Sequence, residues 1–416
     1  MNRETLITLG CVVCAAVLVT AAAYVEPEAR RPDVFSDQGE VFFPAFRDVN
    51  AAKAIEVVDY DPTDAVARPL KVELRKGKWV ISSHYDYPAE ARELLAKLAA
   101  SFVDLKKEQV VSDRVEDHGT YGVIDPLDAK VASLTGRGKR VTLRDEGGSV
   151  LADMILGEPV KGKAGRRHVR LPGQKRVYAV ALDANPSASF EDWAESDLLR
   201  VTASQIRQIT ILNYSINQDI GGATSLERTT LTRSGDQWKL DGGANAKPAA
   251  VQSLVNALDG LRVAGVRPKP ADLASQLKSG GQMEMTLEAV MSMRQRGYFL
   301  SPDGRLVSKE GELMVETEDG VLYSLRFGEI VSGQTDDGKP ASAAAATPTA
   351  AAATKPQENR YLFINASYSP ERAAKYGGKG NGEALAAAQR TRFAGWYYVI
   401  KGADFNRIRP KRAELQ

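Results

Sequence analysis

Two stretches of the chain share one pattern of apolar and polar positions. Residues 150–160 read VLADMILGEPV, and residues 321–331 read VLYSLRFGEIV. Both stretches place apolar residues at the same offsets before a Gly-Glu pair, which is typical of a strand that ends at a turn. The pattern therefore predicts the same strand in two copies of one unit. We assign no chemistry to the pairs Gly157 and Glu158, and Gly328 and Glu329.

Other apolar runs repeat in the same order. Each copy begins with a strand-like run ending in tyrosine, at residues 55–60 and 209–214. A hairpin is predicted next, at residues 74–81 and 231–240, because a turn glycine lies between β-favouring residues. If one inserted residue is allowed, the two hairpins match in an arginine, a glycine and a tryptophan: Arg75 with Arg233, Gly77 with Gly235, and Trp79 with Trp238.

A proline then predicts the start of a helix in each copy, at Pro88 and at Pro248, because the missing N–H costs nothing in the first turn of a helix. Apolar residues recur three, six, seven and ten positions after each proline, which indicates one helical face. These residues are Ala91, Leu94, Leu95 and Leu98 in the first copy, and Val251, Leu254, Val255 and Leu258 in the second.

Two further pairs of segments extend the repeat. YGVIDP (121–126) has a looser counterpart in YFLSP (298–302), and RVYAV (176–180) matches WYYVI (396–400). We therefore predict a tandem duplication of an α+β unit, at about residues 41–198 and 199–408. Strand signals joined by short turns favour a mainly antiparallel sheet with one packed helix in each unit over a doubly wound parallel sheet.

The N-terminal region predicts a membrane anchor. Residues 6–25 carry no charge over a length that can cross a bilayer as a helix. Arg3 and the α-amino group precede this segment and two glutamates follow it, which favours a cytoplasmic stub at 1–5 and a juxtamembrane linker at 26–40 outside. A cleaved signal peptide is the alternative, because residues 21–23 read AAA. Both interpretations export the rest of the chain.

Two other segments stand apart in composition. Residues 332–358 are rich in Ala, Thr and Pro without periodic large apolar residues, which predicts a disordered loop inside the second unit. Residues 161–176 and 407–412 are rich in lysine and arginine, and we expect solvated surface there, with a basic tail at 409–416. A lipid headgroup, an anionic glycan or an acidic partner is the alternative for the first cluster.

Composition narrows the possible functions. The chain has 416 residues, of which 43% are hydrophobic, so it can bury a large core. Its formal net charge of +2 gives no general field for nucleic acid, and no nucleic-acid partner is expected. The two cysteines, Cys11 and Cys14, lie in the predicted anchor, so the exported part can form neither a disulfide nor a cysteine-ligated metal site.

Candidate catalytic residues are few. His84 with Asp86, and Asp117 with His118, flank the helix of the first unit and form the only enzymatic cluster that the sequence suggests, as a metal or acid–base site. Neither pair has a counterpart in the second unit, which favours local hydrogen bonding instead. Trp79, Trp238, Tyr60 and Tyr214 occur at repeated positions, which favours core packing over a binding groove.

Several of these features resemble one family. The single N-terminal anchor, YGVIDP, the strand ending in LGE and FEDWAESDLLRV (190–201) are similar to the bacterial extracytoplasmic family called domain of unknown function 4340. Members are often encoded beside ABC transporters of the gliding-motility type. The resemblance therefore implies a membrane-complex accessory, and it supplies no active-site residues.

We expect a non-catalytic protein of the bacterial inner membrane, single-pass, with most of the chain extracytoplasmic. Its expected partners are the membrane, through residues 6–25, and an envelope protein such as an ABC transporter. No cofactor, metal or catalytic residue is predicted, and the small-molecule ligand, if any, is unknown. The alternatives are an exported hydrolase or metal-dependent enzyme using His84, Asp86, Asp117 and His118, and a solute-binding protein with an apolar cleft between the units.

Overall fold

A computed structural model describes residues 37–217, 222–280, 285–301, 304–331, 358–378 and 380–416. The predicted stub at 1–5, the anchor at 6–25, most of the linker at 26–40 and residues 332–357 of the predicted loop lie outside the described residues. Within the described ranges, no helix is both long and apolar enough to span a membrane.

The chain forms two large antiparallel sheets with several helices, an α+β fold. The first sheet has nine strands in the order β4-β3-β2-β1-β6-β7-β8-β9-β5. Its strands are β1 (Ala54–Asp61), β2 (Val66–Arg75), β3 (Lys78–Ile81), β4 (Tyr87–Pro88), β5 (Gln109–Ser112), β6 (Lys139–Arg144), β7 (Val150–Pro159), β8 (Arg166–Arg170) and β9 (Val177–Ala181).

The second half contains β10 (Ile206–Asn217), β11 (Gly222–Ser234), β12 (Gln237–Leu240), β13 (Gly265–Pro268), β14 (Tyr298–Leu300), β15 (Leu306–Ser308), β16 (Glu312–Thr317), β17 (Val321–Ile330), β18 (Arg360–Tyr368) and β19 (Trp396–Ile400). Eight of these strands form the second sheet, in the order β12-β11-β10-β16-β17-β18-β19-β13, and β14 pairs with β15 separately. Apart from the two-residue β4, the two sheets have the same order of equivalent strands. The repeat is therefore present in the topology, while the unit boundaries at 41–198 and 199–408 stay predictions.

The α-helices are α1 (Arg92–Phe102), α2 (Phe190–Trp193), α3 (Pro248–Asp259), α4 (Ala271–Ser279), α5 (Leu287–Gln295), α6 (Pro370–Tyr376), α7 (Gly382–Ala394), α8 (Gly402–Ile408) and α9 (Arg412–Leu415). Single 3-10 turns occur at Val49–Ala51, Val115–Asp117 and Ala203–Gln205. The expectation of one packed helix in each unit is too simple, because the second unit carries α4 and α5 on the outer face of its sheet.

The helix that the two units share begins at different distances from its proline. Pro248 is the first residue of α3, as predicted, but Pro88 lies in β4, and α1 begins at Arg92. The backbone around Pro88 is extended because Ala89 donates its N–H to the carbonyl of Trp79. Aligned on their first residues, α1 and α3 bury the same four positions: Leu95, Leu98, Ala99 and Phe102 in α1, and Val251, Leu254, Val255 and Leu258 in α3. The predicted helix start was wrong in the first unit by one turn. Of the predicted face, Ala91, Leu95 and Leu98 are buried and Leu94 is exposed.

The two hairpins also match without the inserted residue. Trp79 pairs with Leu74 across its hairpin, and Trp238 pairs with Arg233 across the other. Each turn has two residues, so the tryptophans are equivalent, whereas Gly77 and Gly235 are offset by one position. The predicted match of Arg75 with Arg233 was wrong by one position for the same reason. A two-residue hairpin accepts glycine at either central position, since both can require a positive φ.

One hydrophobic core joins the two units. Buried residues of both sheets, α1 and α3 form a single contiguous cluster. The linking segment 190–201 lies across the junction, where the ring of Tyr87 contacts that of Trp396 edge-on at 5.3 Å between centroids. Arg392 of α7 donates to the carbonyls of Asp197 and Leu198, at 2.5 and 2.7 Å. The two units are therefore packed together through this segment.

Candidate functional site

The first predicted pair, His84 and Asp86, is held by local contacts. His84 Nδ1 lies 2.8 Å from the hydroxyl of Ser83, and its ring contacts the ring of Phe190 at 5.2 Å. Asp86 accepts two hydrogen bonds from Arg75, at 2.7 and 2.8 Å. These side chains therefore fix the turn between β3 and β4 against the linking segment.

The second pair, Asp117 and His118, lies elsewhere on the same sheet. Asp117 accepts a hydrogen bond of 2.6 Å from Ser112, and His118 Nε2 lies 2.8 Å from the carbonyl of Lys175. Burial lowers the pKa of His118 below its ordinary value, which favours the neutral ring. Lys175 lies between β8 and β9, whereas His84 follows β3, and β2, β1, β6 and β7 lie between them.

The structure does not bring the four candidate residues into one cluster. Across the part of the chain that it describes, no group of three or more His, Cys, Asp or Glu residues is arranged to hold a metal ion. A metal or acid–base site would require these groups to converge within bonding distance. The geometry therefore gives no support to the enzymatic alternative built on them.

The basic segment 161–176 is more fully paired than its sequence indicated. Arg176 binds Asp37 and Asp113, at 2.8 and 2.6 Å, and Arg166 pairs with Glu108. Arg170 is buried and donates to the carbonyls of Val123 and Gln174, at 2.9 and 2.8 Å. Carboxylates distant in sequence thus neutralise two of the seven basic residues of this segment, Arg166 and Arg176. The expectation of a simply solvated cluster was wrong for these three arginines.

The C-terminal residues also pack on the fold. Leu415 is fully buried, and Arg409 donates to Asn213 at 2.8 Å and to Glu310 at 3.1 Å. Arg412 pairs with Asp241. The expected solvated tail at 409–416 was therefore wrong, because its arginines meet carboxylate and amide acceptors and its leucine enters the shared core.

The repeated Gly-Glu pairs mark a close approach of two backbone segments. The N–H of Glu158 donates to the carbonyl of Tyr121 at 3.0 Å, and the N–H of Glu329 donates to that of Arg296 at 2.8 Å. A Cβ on Gly157 would lie 2.4 Å from the first of these carbonyl oxygens, and one on Gly328 would lie 2.1 Å from the second. Only glycine fits there, so these pairs have a structural role.

This contact also corrects the alignment of YGVIDP with YFLSP. The carbonyl acceptors belong to Tyr121 and Arg296, and each is followed by a glycine of positive φ, Gly122 at 64° and Gly297 at 81°. Tyr121 is therefore equivalent to Arg296, two positions before Tyr298. The predicted match was wrong because the tyrosine, the conspicuous residue, is not the one that the backbone contact requires.

The repeated aromatic residues support the fold in different ways. The guanidinium carbon of Arg137 lies 4.3 Å above the centre of the Tyr60 ring. Tyr214 donates a hydrogen bond of 2.8 Å to Glu312. Trp79 and Trp238 are partly buried and pack against the shared core, in agreement with the prediction of core packing. Tyr60 and Tyr214 lie outside that core, so the prediction was wrong for them.

An apolar groove lies on the second sheet, on the face opposite the shared core. Ile209, Ile211, Leu313 and Val315 are fully buried in that core. Because side chains alternate along a strand, their neighbours face the other side. There a cavity of about 690 Å³ is lined by both apolar and polar residues: Leu212, Tyr214, Ile216, Leu226, Leu277, Leu306, Val307, Met314 and Phe363, with Arg305, Glu312, Arg326 and Asn365.

Two features make this groove the leading candidate site: a highly exposed leucine in a strand, and a strand, β10, with apolar residues on both faces. Leu226 is 70% exposed, although it lies in a strand and lines the groove. Sequence reasoning missed the groove, but β10 held a signal: its segment ITILNYSI has apolar residues on both faces. A strand with one solvated face would alternate apolar with polar residues.

The junction between the units differs from the apolar cleft that a solute-binding protein would need. Apolar packing closes most of it, and its cavity of about 440 Å³ is lined in part by Glu195, Arg200, Gln389 and Arg392. Glu195 pairs with both arginines. Ion pairs, together with apolar side chains such as Val201, Tyr323 and Leu385, thus face this space.

Comparison with known proteins gives one match. The model of the family described as Domain of unknown function (DUF4340) matches residues 79–279. The match supports the DUF4340 family for this part of the chain. The DUF4340 match begins in β3 and ends with α4, so it crosses the junction and includes YGVIDP, the first LGE and the linking segment. It confirms the resemblance predicted from these motifs. No curated protein and no solved structure matches the chain.

Proposed function

We propose that the chain is a non-catalytic, membrane-anchored interaction protein that binds another envelope component, such as an ABC transporter assembly. Residues 6–25 would anchor it in the bacterial inner membrane, with the two sheets outside the cytoplasm. The apolar groove on the second sheet is the observation that carries the proposal.

The groove suits a protein partner because its floor is apolar and its rim is polar. Core residues of protein interfaces are depleted in charge, whereas rims are polar and solvated. Leu226 alone would contribute about 1–2 kcal/mol if a partner covered its exposed surface. The ion pair between Arg326 and Glu312, at 3.4 Å, lies beside this apolar surface and offers polar contacts for orientation.

Site-specific photocrosslinking in native membranes tests the proposal. A photoreactive amino acid would replace Leu226 in the full chain, and in a matched control it would replace Leu134, an exposed leucine of the first unit. Crosslinking from position 226, followed by mass spectrometry, is expected to recover an envelope protein that position 134 does not. Recovery of only uncrosslinked monomer from both positions, in membranes that preserve transporter complexes, would contradict the proposal.

A second experiment separates the groove from the anchor. Leu226→Asp would place a charge in the groove without removing a core side chain. The variant is expected to stay in the membrane fraction and to lose the crosslinked partner. Unchanged partner recovery would show that the groove is not the binding surface.

A further inference from the structure

A second cavity lies beside Trp238, at the edge of the second sheet. It has a volume of about 460 Å³ and lies between the β11–β12 hairpin, the loop before α3, and α3 itself. Trp238 is on the edge strand β12, and its indole is half-buried between the core and this cavity. The cavity is separate from the apolar groove, with which it shares no lining residue.

Amides make up half of the polar side chains around this indole. Gln237, Asn245 and Gln252 line the cavity and are exposed. Gln252 donates to Asn256 at 2.8 Å, whereas the side chains of Gln237 and Asn245 form no hydrogen bond with any described residue. Each side-chain amide can both donate and accept hydrogen bonds. The cavity therefore offers paired donors and acceptors beside an aromatic surface.

The first unit has the same tryptophan without these amides. Trp79 occupies the equivalent position. By the pairing in the two hairpins, Gln237 is equivalent to Lys78. Asn245 is equivalent to Pro88, because the next residue donates to the tryptophan carbonyl in both units, and Gln252 is equivalent to Ala96, counted from the helix start. The shared tryptophan is explained by core packing in both units. Packing does not explain the amides, which occur in the second unit alone.

We propose that this cavity, with Trp238 as its floor and Gln237 and Asn245 on its rim, binds a neutral saccharide. The C–H face of a sugar ring is apolar and packs on an indole, while its hydroxyl groups need donors and acceptors together. An anionic ligand fits less well. The one arginine of the lining, Arg233, already donates to the carbonyls of Gly235 and Ser204, at 3.2 and 3.1 Å, and Asp236 adds a negative charge.

Two variants test the site on the full chain purified in detergent. The first replaces both exposed amides, Gln237→Ala with Asn245→Ala, and the matched control is Lys78→Ala at the equivalent position of the first unit. Calorimetric titration would use two probes, an N-acetylglucosamine tetramer and a glucose tetramer. At least one probe is expected to bind the parent chain, and the double variant is expected to bind it at least tenfold more weakly. The control should bind as the parent does.

Tryptophan fluorescence gives an independent measurement. Saccharide binding is expected to shift the emission of the parent chain and of Trp79→Phe, but not that of Trp238→Phe. Thermal unfolding of each variant would show whether it folds, and the double variant keeps the test decisive if Trp238→Phe does not. The proposal is overturned if neither probe binds at millimolar concentration, or if the double variant binds as tightly as the parent.

Discussion

Replacing Lys269 should change how the stability of the protein depends on pH. Lys269 lies between β13 and α4 and is only 5% exposed. Its Nζ donates to the carbonyl of Phe393 at 3.0 Å and lies 4.0 Å from the centre of the Phe363 ring. No carboxylate of the described residues pairs with it. Burial therefore lowers the pKa of Lys269 well below its ordinary value of 10.5.

The sign of the effect follows from proton binding. Between the lowered pKa and 10.5, the unfolded chain holds a proton on Lys269 that the folded chain lacks. The free energy of unfolding then rises with pH by about 1.4 kcal/mol per unit. This gain in the free energy of unfolding is complete above pH 10.5, and it is lost as the pH falls toward the pKa of Lys269 in the folded chain. Tyr397, 5.3 Å away, does not compete, because burial raises its pKa above 10.0.

Lys269→Met preserves most of the side-chain volume and removes the titrating group. The stability of this variant at a single pH combines two effects, because the substitution also leaves the Phe393 carbonyl without its donor, at a cost of about 1–3 kcal/mol. The pH slope is the discriminating quantity. Between pH 7 and pH 9 the free energy of unfolding should rise more steeply for the parent than for the variant, because in the parent the unfolded chain takes up a proton on Lys269 that the folded chain lacks.

Urea unfolding at pH 7, 8 and 9 measures this difference. The control is Lys78→Met, since Lys78 is exposed on the surface of β3, and its pH dependence should follow that of the parent. Parallel pH curves for the parent and Lys269→Met would refute the reasoning, because Lys269 would then bind its proton equally in the folded and unfolded chain.

Three further outcomes follow from the fold. Gly328→Ala should destabilise the chain by about 2 kcal/mol or more in urea unfolding, because its Cβ would meet the Arg296 carbonyl. The control, Gly395→Ala, should change stability by less than about 0.5 kcal/mol, because no atom lies within 4 Å of the new Cβ. Arg137→Ala should speed proteolysis of the loop at 125–133, because Arg137 donates to several carbonyls of that loop; unchanged cleavage would contradict this. Asp86→Ala should cost less than about 1 kcal/mol, since its ion pair with Arg75 is half-exposed; a loss of several kcal/mol would show that it has another role.

The repeat was visible in the sequence because strand alternation and helical periodicity are local properties. Its alignment in detail was not, and the errors share one cause. Pro88, Gly235 and Tyr298 were matched by residue type, whereas the structure sets equivalence by hydrogen-bond register. A second residue of the same type a few positions away is enough to shift such a match.

The candidate sites were harder to predict than the fold. The apolar groove depends on which face of the second sheet is left uncovered by the described residues, and tertiary packing decides this. The local sequence signal was strand β10, which has apolar residues on both of its faces. The cavity at Trp238 differs from the first unit in its amides, because Trp79 has the same packing role without them.

The shared core has a consequence for how the chain folds. Lys401 pairs with Glu191, a residue 210 positions earlier, and the ring of Tyr87 packs against that of Trp396. Contacts between distant parts of a chain form slowly, because the intervening loop must close first. We therefore expect the first sheet to keep apolar surface exposed until the last strands have packed against it. Folding would then depend on rapid completion or on a chaperone, and truncation near the C-terminus should harm the first unit as well as the second.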